Sequence, residues 1–196
     1  HLDKMKKLFA LLLIIVPMCV MAQENPKYLA GAVPEDSTGL VVFKTTLEAE
    51  GKSKIEIYDS LAVWAANLAG EAIQGVRTRL IDQNPEQGLI MYRIEEWLVF
   101  KHHFLNFDRT RFRYLLTLKC MDGKAEMAIS HITYFYGEDE NDRSASFYKA
   151  EEWISDREAL NKKQTKLYKY SAKFRRKTID RVEALQNSAK SSINAH

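Results

Sequence analysis

The sequence predicts an α+β fold, an antiparallel sheet with two helices packed on one face, in the order β-α-β-β-β-β-α. Three observations predict it. Two segments, one near each end of the chain, repeat apolar residues at three- and four-residue spacing, which is typical of amphipathic helices. Between them, several segments alternate polar and apolar residues, as in a sheet with one buried face, and turn sequences separate these segments. Strands grouped between two helices are typical of an α+β architecture.

The chain begins with the pattern of a secretory signal peptide. Lys6 and Lys7 precede a short apolar run, and small residues precede a predicted cleavage after Ala22. The run is shorter than the roughly 20 residues that a membrane span needs. We therefore predict that residues 1–22 direct export and that no transmembrane span remains after cleavage. Lipid anchoring through Cys19 is an alternative to soluble export.

Removal of the signal changes the charge and cysteine content. Three lysines and one aspartate leave with residues 1–22, so 26 basic and 25 acidic side chains remain. This balance gives no support for binding to nucleic acid. Cys120 is then the single cysteine, so an internal disulfide is excluded and packing must stabilise the fold. Because Cys120 follows Leu116 and Leu118 at strand spacing, we predict a small core residue rather than a reactive thiol.

The first elements follow a predicted extended lead-in at residues 23–39, which is rich in proline, glycine and small polar residues. Residues 40–47 are dense in β-branched and aromatic side chains and predict a strand. Ser53 and Glu56 have the spacing of a capping box at the start of a helix. That helix continues to Gly70 on a stripe formed by Ile57, Leu61, Trp64 and Leu68.

The middle of the chain predicts four strands, at residues 75–82, 89–100, 108–121 and 125–136. In the third of these, Arg109, Arg111 and Arg113 share one face, while the apolar residues between them share the other. Three guanidinium groups in a row suit an anionic ligand or partner. Pairing with a Glu or Asp on a neighbouring strand explains the row better. Phe112 and Tyr114 face away from it, which argues against a nucleic-acid stacking surface.

The C-terminal part predicts a surface loop at residues 137–146, a helical turn at 150–154 and a long helix at 159–185. The helix has an apolar stripe and other faces that carry Lys162, Lys163, Lys166, Lys169, Lys173, Arg175, Arg176, Lys177 and Arg181. Those faces could bind acidic lipid headgroups or an acidic partner, but a solvated outer face is the favoured interpretation. We predict a single domain at residues 40–186 and a flexible tail at 187–196.

Motifs for common catalytic chemistry are absent from the sequence. There is no phosphate-binding glycine loop, no paired-cysteine metal spacing and no nucleophile elbow. His102, His103 and His131 do not have a spacing that favours a metal site. The adjacent carboxylates Glu95 and Glu96 would face apart on a strand and so would not form an acid–base pair. We therefore predict no catalytic residues, no cofactor and no metal, and a protein that is not an enzyme.

Several segments carry a resemblance to a known family: residues 28–35, 42–43, 53–58, 108–111, 120–124, 151–154, 159–163 and 173–180. With them the chain resembles an uncharacterised family of exported Bacteroidota proteins, a domain of unknown function with a fold like the TATA-box-binding protein (TBP-like). The resemblance implies a curved antiparallel sheet with two helices on one side. It brings no activity or ligand, and likeness of fold to a DNA-binding protein is no reason to expect DNA binding.

Two functions are consistent with these features. The first is a non-catalytic binding or protein-interaction module of the cell envelope, in the periplasm or at the cell surface, using the open sheet face or the row Arg109, Arg111 and Arg113. The alternative is a carrier that holds a small apolar ligand between the sheet and the C-terminal helix. The expected partner is an envelope protein or a small ligand, and the oligomeric state is left open.

Overall fold

The computed structural model describes residues 24–103, 106–137 and 143–195, without the side chains of residues 102, 103, 106 and 107. The predicted signal peptide lies outside the described residues. The strands are β1 (Phe43–Glu48), β2 (Arg79–Asn84), β3 (Leu89–His103), β4 (Asn106–Met121), β5 (Lys124–Tyr136) and β6 (Ser146–Lys149). The helices are α1 (Lys54–Glu71), the single turns α2 (Ala150–Trp153) and α3 (Asp156–Ala159), and α4 (Lys169–Asn194).

The described strands form one antiparallel sheet in the order β1-β5-β4-β3-β2. Strand β6, which the sequence did not predict, pairs with residues 133–136 of β5, while β1 pairs with residues 124–129 of the same strand. Helices α1 and α4 pack against each other and against one face of the sheet. The predicted α+β fold with two long helices on one face is therefore confirmed.

Local signals explain the start of α1 and the turn before β3. The Ser53 backbone N–H donates to the Glu56 carboxylate at 2.8 Å and the Glu56 N–H donates to the Ser53 hydroxyl oxygen, which confirms the capping box. Gly88 has φ +66°, and a Cβ there would lie 2.4 Å from the backbone oxygen of Cys120. Only glycine fits this close approach between the turn and the end of β4.

The C-terminal helix differs from its prediction at both ends. Residues 161–168 form a loop, because the Asn161 side chain accepts hydrogen bonds from the N–H groups of Thr165 (2.9 Å) and Lys166 (3.2 Å). These bonds to the asparagine side chain replace the backbone hydrogen bonds that a helix would form here. At the other end the predicted flexible tail is helical through Asn194, because Ala189 and Ile193 continue the buried stripe. The apolar spacing of the helix therefore continues into the tail, although the small polar residues of the tail are typical of a disordered end.

The predicted extended lead-in is also wrong in detail. It contains a 3₁₀ turn, Pro26–Tyr28, and packs on α4. Arg175 explains this, since its guanidinium donates to the backbone oxygens of Tyr28 (2.7 Å) and Leu29 (2.6 Å). The Tyr28 hydroxyl donates to Asp180 at 2.9 Å. Arg175, which was predicted on an outer helix face, is therefore buried and ties the lead-in to the domain.

Candidate binding face

The sheet face opposite the two long helices is the candidate site, because it carries the predicted arginine row. The alternation of β4 is confirmed: the side chains of Thr110, Phe112, Tyr114, Leu116, Leu118 and Cys120 are buried beneath the helices. Arg109, Arg111 and Arg113 lie on the opposite, partly exposed face. We call this surface the open face.

A buried carboxylate on β3 binds two of the three arginines. Glu95 lies opposite Arg113 in the strand register and has 2% of its surface exposed. Its carboxylate accepts from Arg111 at 3.4 Å and from the Nε of Arg113. This confirms the predicted cross-strand pairing with an acidic residue. Its neighbour Glu96 faces the helices, where Arg181 donates two bonds to it at 2.6 and 2.9 Å, so the two carboxylates face apart as predicted.

Aromatic rings from the flanking strands interleave with the arginines. The guanidinium carbon of Arg109 lies 3.8 Å from the ring centroid of Trp97 on β3. Those of Arg111 and Arg113 lie 5.8 and 5.4 Å from the ring of Phe135 on β5. Such contacts attract a cation to the face of the ring. The alternation of β4 alone did not reveal these rings, since β3 and β5 supply them.

A β-bulge opens a small depression beside Arg113. The register between β4 and β5 shifts between Arg113 and Leu115, so Tyr114 faces two residues of β5. One of them, His131, has φ +52° and an exposed side chain, and its Nδ1 lies 3.0 Å from the Ser130 hydroxyl. The depression has a volume of about 260 Å³. Sequence reasoning missed it because alternation does not locate a bulge.

The described lining of the depression carries basic side chains and no acidic ones. Its described lining comprises Arg77, Arg93, Arg113, Tyr114, Leu115, His131, Thr133 and Phe147, and none of these is acidic. Arg77 comes from the connection after α1, Arg93 from β3 and Arg113 from β4. Glu95 binds Arg113 at the edge of the depression. Guanidinium groups bind carboxylate or phosphate with paired hydrogen bonds, so the depression suits an anion. We call it the arginine pocket.

Other candidate chemistry lies elsewhere or is blocked. Burial raises the pKa of Cys120 to about 11, so the thiolate is scarcely formed at neutral pH, as expected for a core residue. The described residues contain no group of three or more His, Cys, Asp or Glu that could hold a metal ion. The side chains of His102 and His103 lie outside the described part of the chain. No described helix is both long and apolar enough to cross a membrane.

The region beneath α4 is packed with aromatic rings. The ring of Phe174 lies 4.7 Å from that of Phe100, 5.2 Å from Tyr134 and 5.9 Å from Trp153 between centroids. Below it, the hydroxyls of Tyr134 and Thr178 lie 2.7 Å apart. Side chains of this density fill the space in which a carrier would hold its ligand.

Comparison with known proteins identifies the family. The profile described as a domain of unknown function (DUF4468) with TBP-like fold matches residues 43–135, from β1 into β5. A crystal structure of a DUF4468 family protein from Bacteroides ovatus is 35% identical, with a TM-score of 0.77 over 85% of this chain and 93% of that one. A TBP-like protein from Parabacteroides distasonis is 25% identical, with a TM-score of 0.67 over 83% and 97%. No curated protein matches.

These comparisons confirm the predicted resemblance and the TBP-like fold. The family is one of unknown function, so it assigns no role to the arginine pocket. At 35% identity over nearly the whole length of a solved relative, the chain belongs to the DUF4468 family of domains of unknown function with a TBP-like fold.

Proposed function

We propose that the protein is a non-catalytic binding module of the cell envelope whose open face holds an anionic group in the arginine pocket. The observation that supports this most is that Arg77, Arg93, Arg113 and His131 all line one depression. The described lining of that depression has no carboxylate. The assignment to the envelope rests on the predicted signal peptide. The anion is a carboxylate or phosphate group of a partner protein or small ligand.

The charge on the open face supports this proposal over a purely structural role. Within the described part of the chain, the Glu95 carboxylate accepts bonds from both Arg111 and Arg113. Arg93, on the neighbouring strand, is exposed and lines the pocket. An anion beside Arg113 would meet a guanidinium that Glu95 already holds in place, so little entropy of that side chain would be lost on binding.

The ring of Phe147 supports a ligand with an apolar or planar part. Phe147 is 55% exposed and lines the arginine pocket from β6, opposite Phe135 in the register. Exposed aromatic side chains beside arginines are typical of binding surfaces. The carrier alternative has no comparable support, because Phe174 and its neighbours fill the space beneath α4.

Calorimetric titration tests the proposal, with inorganic phosphate and N-acetylglutamate as probes. We expect both anions to bind, and we expect Arg93→Gln to weaken binding about tenfold or more, because a hydrogen bond to a charged group is worth about 1.5–3 kcal/mol. Arg157→Gln is the matched control, since Arg157 is exposed and pairs only with the neighbouring Glu158 among the described residues. Failure of both anions to bind, or equal binding by Arg93→Gln, would contradict the proposal.

A further inference from the structure

The loop at residues 161–168, together with the first residues of α4, gathers lysines at one place on the surface. Lys162, Lys163, Lys166 and Lys169 are all exposed. Because the chain turns at Asn161, the four side chains project from one short segment. We call it the lysine loop.

The lysine loop is anchored at its base. Leu160 and Leu167 form an antiparallel bridge, and the Leu160 side chain is buried. The N–H of Asn161 donates to the Lys166 oxygen at 3.0 Å, and the N–H of Tyr168 donates to the Ala159 oxygen at 2.8 Å. The backbone that carries the lysines is therefore held in place while their stems extend into solvent.

Two exposed tyrosines accompany the lysines. Tyr168 is 38% exposed and Tyr170 is 54% exposed, and their rings are stacked with centroids 5.5 Å apart. Tyr170 also contacts Trp153, with centroids 5.3 Å apart. The segment thus presents apolar rings with polar tips beside four ammonium groups.

Nearby carboxylates do not neutralise the lysine loop. None of its four lysines forms an ion pair with a carboxylate in the described part of the chain. Asp156 is bound to Arg175 at 2.7 Å and to the N–H of Gly31 at 2.7 Å. Glu158 is bound to Arg157 at 2.9 Å. The positive charge of the loop is therefore available to an external partner.

We propose that the lysine loop docks peripherally on a bilayer surface by binding anionic lipid headgroups. Clusters of four or more basic residues attract anionic lipid, and tyrosine rings favour the headgroup level of a membrane. An acidic protein fits less well, because protein interfaces are depleted in lysine and enriched in arginine. The docking uses residues distinct from the arginine pocket, so it goes beyond the proposed function and does not depend on it.

Vesicle co-sedimentation tests this docking, with protein purified from the producing cell so that every variant has the same N-terminus. Vesicles of phosphatidylcholine are compared with vesicles in which half of it is replaced by phosphatidylglycerol. We expect binding to the anionic vesicles that falls steeply with salt. Lys162→Gln, Lys163→Gln and Lys166→Gln combined should weaken it roughly a hundredfold, at about fivefold for each lysine.

The control removes the same charge from the other end of the sheet, with Lys44→Gln, Lys124→Gln and Lys190→Gln combined. These lysines are exposed and lie on β1, on the facing end of β5 and late in α4. Their loss should change binding only a fewfold. Tyr168→Ser should weaken binding a fewfold without disturbing α4, because serine is a favoured first cap of a helix.

Three outcomes would overturn the docking proposal. The first is equal binding to neutral and anionic vesicles, or binding to neither. The second is equal loss in the two triple variants, which would indicate an unspecific effect of net charge. The third is tighter binding, per charge, to polyglutamate than to anionic vesicles, which would assign the lysine loop to an acidic protein. Thermal unfolding of each variant establishes that the fold is retained.

Discussion

Two sites on opposite sides of the sheet are built from arginine, but the arginines have different roles. Arg175 on α4 is fully buried and donates to the backbone oxygens of Tyr28, Leu29 and Ile154 and to Asp156, at 2.6–2.7 Å. Arg111 and Arg113 on the open face are partly exposed and share Glu95. The first site places several acceptors around one cation. The second places two cations on one carboxylate.

The difference teaches which site organises the fold and which can accept a ligand. Backbone carbonyls cannot move away without breaking local structure, so Arg175 joins the lead-in, the turn α2 and the helix α4. Its donors point at groups that are already in place, which leaves no role for an external anion. On the open face, Arg113 shares its carboxylate with Arg111 and lines a depression, and there we propose that an anion binds.

The largest expected effect comes from breaking the buried site. Arg175→Met should lower the free energy of unfolding by about 3–5 kcal/mol, because it leaves three backbone carbonyls without this donor and removes one of the donors to Asp156. Urea unfolding measures this loss. The neighbouring Arg176→Met is the matched control, since Arg176 forms a surface pair with Glu24 and should cost about 1 kcal/mol or less. Equal losses in the two variants would show that Arg175 does not organise the fold.

The second effect tests the carboxylate that Arg111 and Arg113 share on the open face. Glu95→Gln should lower the free energy of unfolding by about 1–3 kcal/mol, because Arg111 and Arg113 lose a charged partner. It should also strengthen phosphate binding, because it removes the carboxylate that competes for Arg113. Calorimetry and urea unfolding measure the two changes. Glu126→Gln, at an exposed position of β5, is the control, and weaker phosphate binding by Glu95→Gln would contradict the comparison.

Sequence patterns predicted the parts of these sites that local spacing determines. Alternation along β4 placed Arg109, Arg111 and Arg113 on one face, and the spacing of Ser53 and Glu56 predicted the start of α1. The same alternation predicted that the arginines pair with a carboxylate on a neighbouring strand. Each of these signals depends on residues a few positions apart, so tertiary packing did not reverse them.

Contacts between distant segments explain what the sequence did not predict. Arg175 was expected among the solvated basic residues of α4, and only the arrival of Tyr28 and Leu29 makes it a buried site. The arginine pocket depends on a bulge at His131 and on Arg77 from another part of the chain. The lysine loop is a local exception, because it exists where the side chain of Asn161 accepts bonds from N–H groups four and five residues later in place of a helical backbone.

The smallest expected effect concerns an ion pair that is more exposed than those of the two arginine sites. Asp108 on β4 accepts bonds from Lys173 on α4 at 2.9 Å and from the Tyr136 hydroxyl at 2.7 Å. Burial acts to raise the pKa of Asp108, but these bonds outweigh it and lower the pKa below its ordinary 3.8. A lowered folded-state pKa stabilises the protein above the unfolded value, and that stability is lost as the pH falls through the folded value.

Asp108→Asn should therefore cost up to about 1 kcal/mol at neutral pH, as expected for a partly exposed ion pair. The difference from the wild type should shrink as the pH falls below 3.8, because both proteins then lack the carboxylate charge. Urea unfolding across this range measures it, with Asp59→Asn on the exposed side of α1 as the control. A difference that stays constant with pH would mean that Asp108 acts through packing and not through its charge.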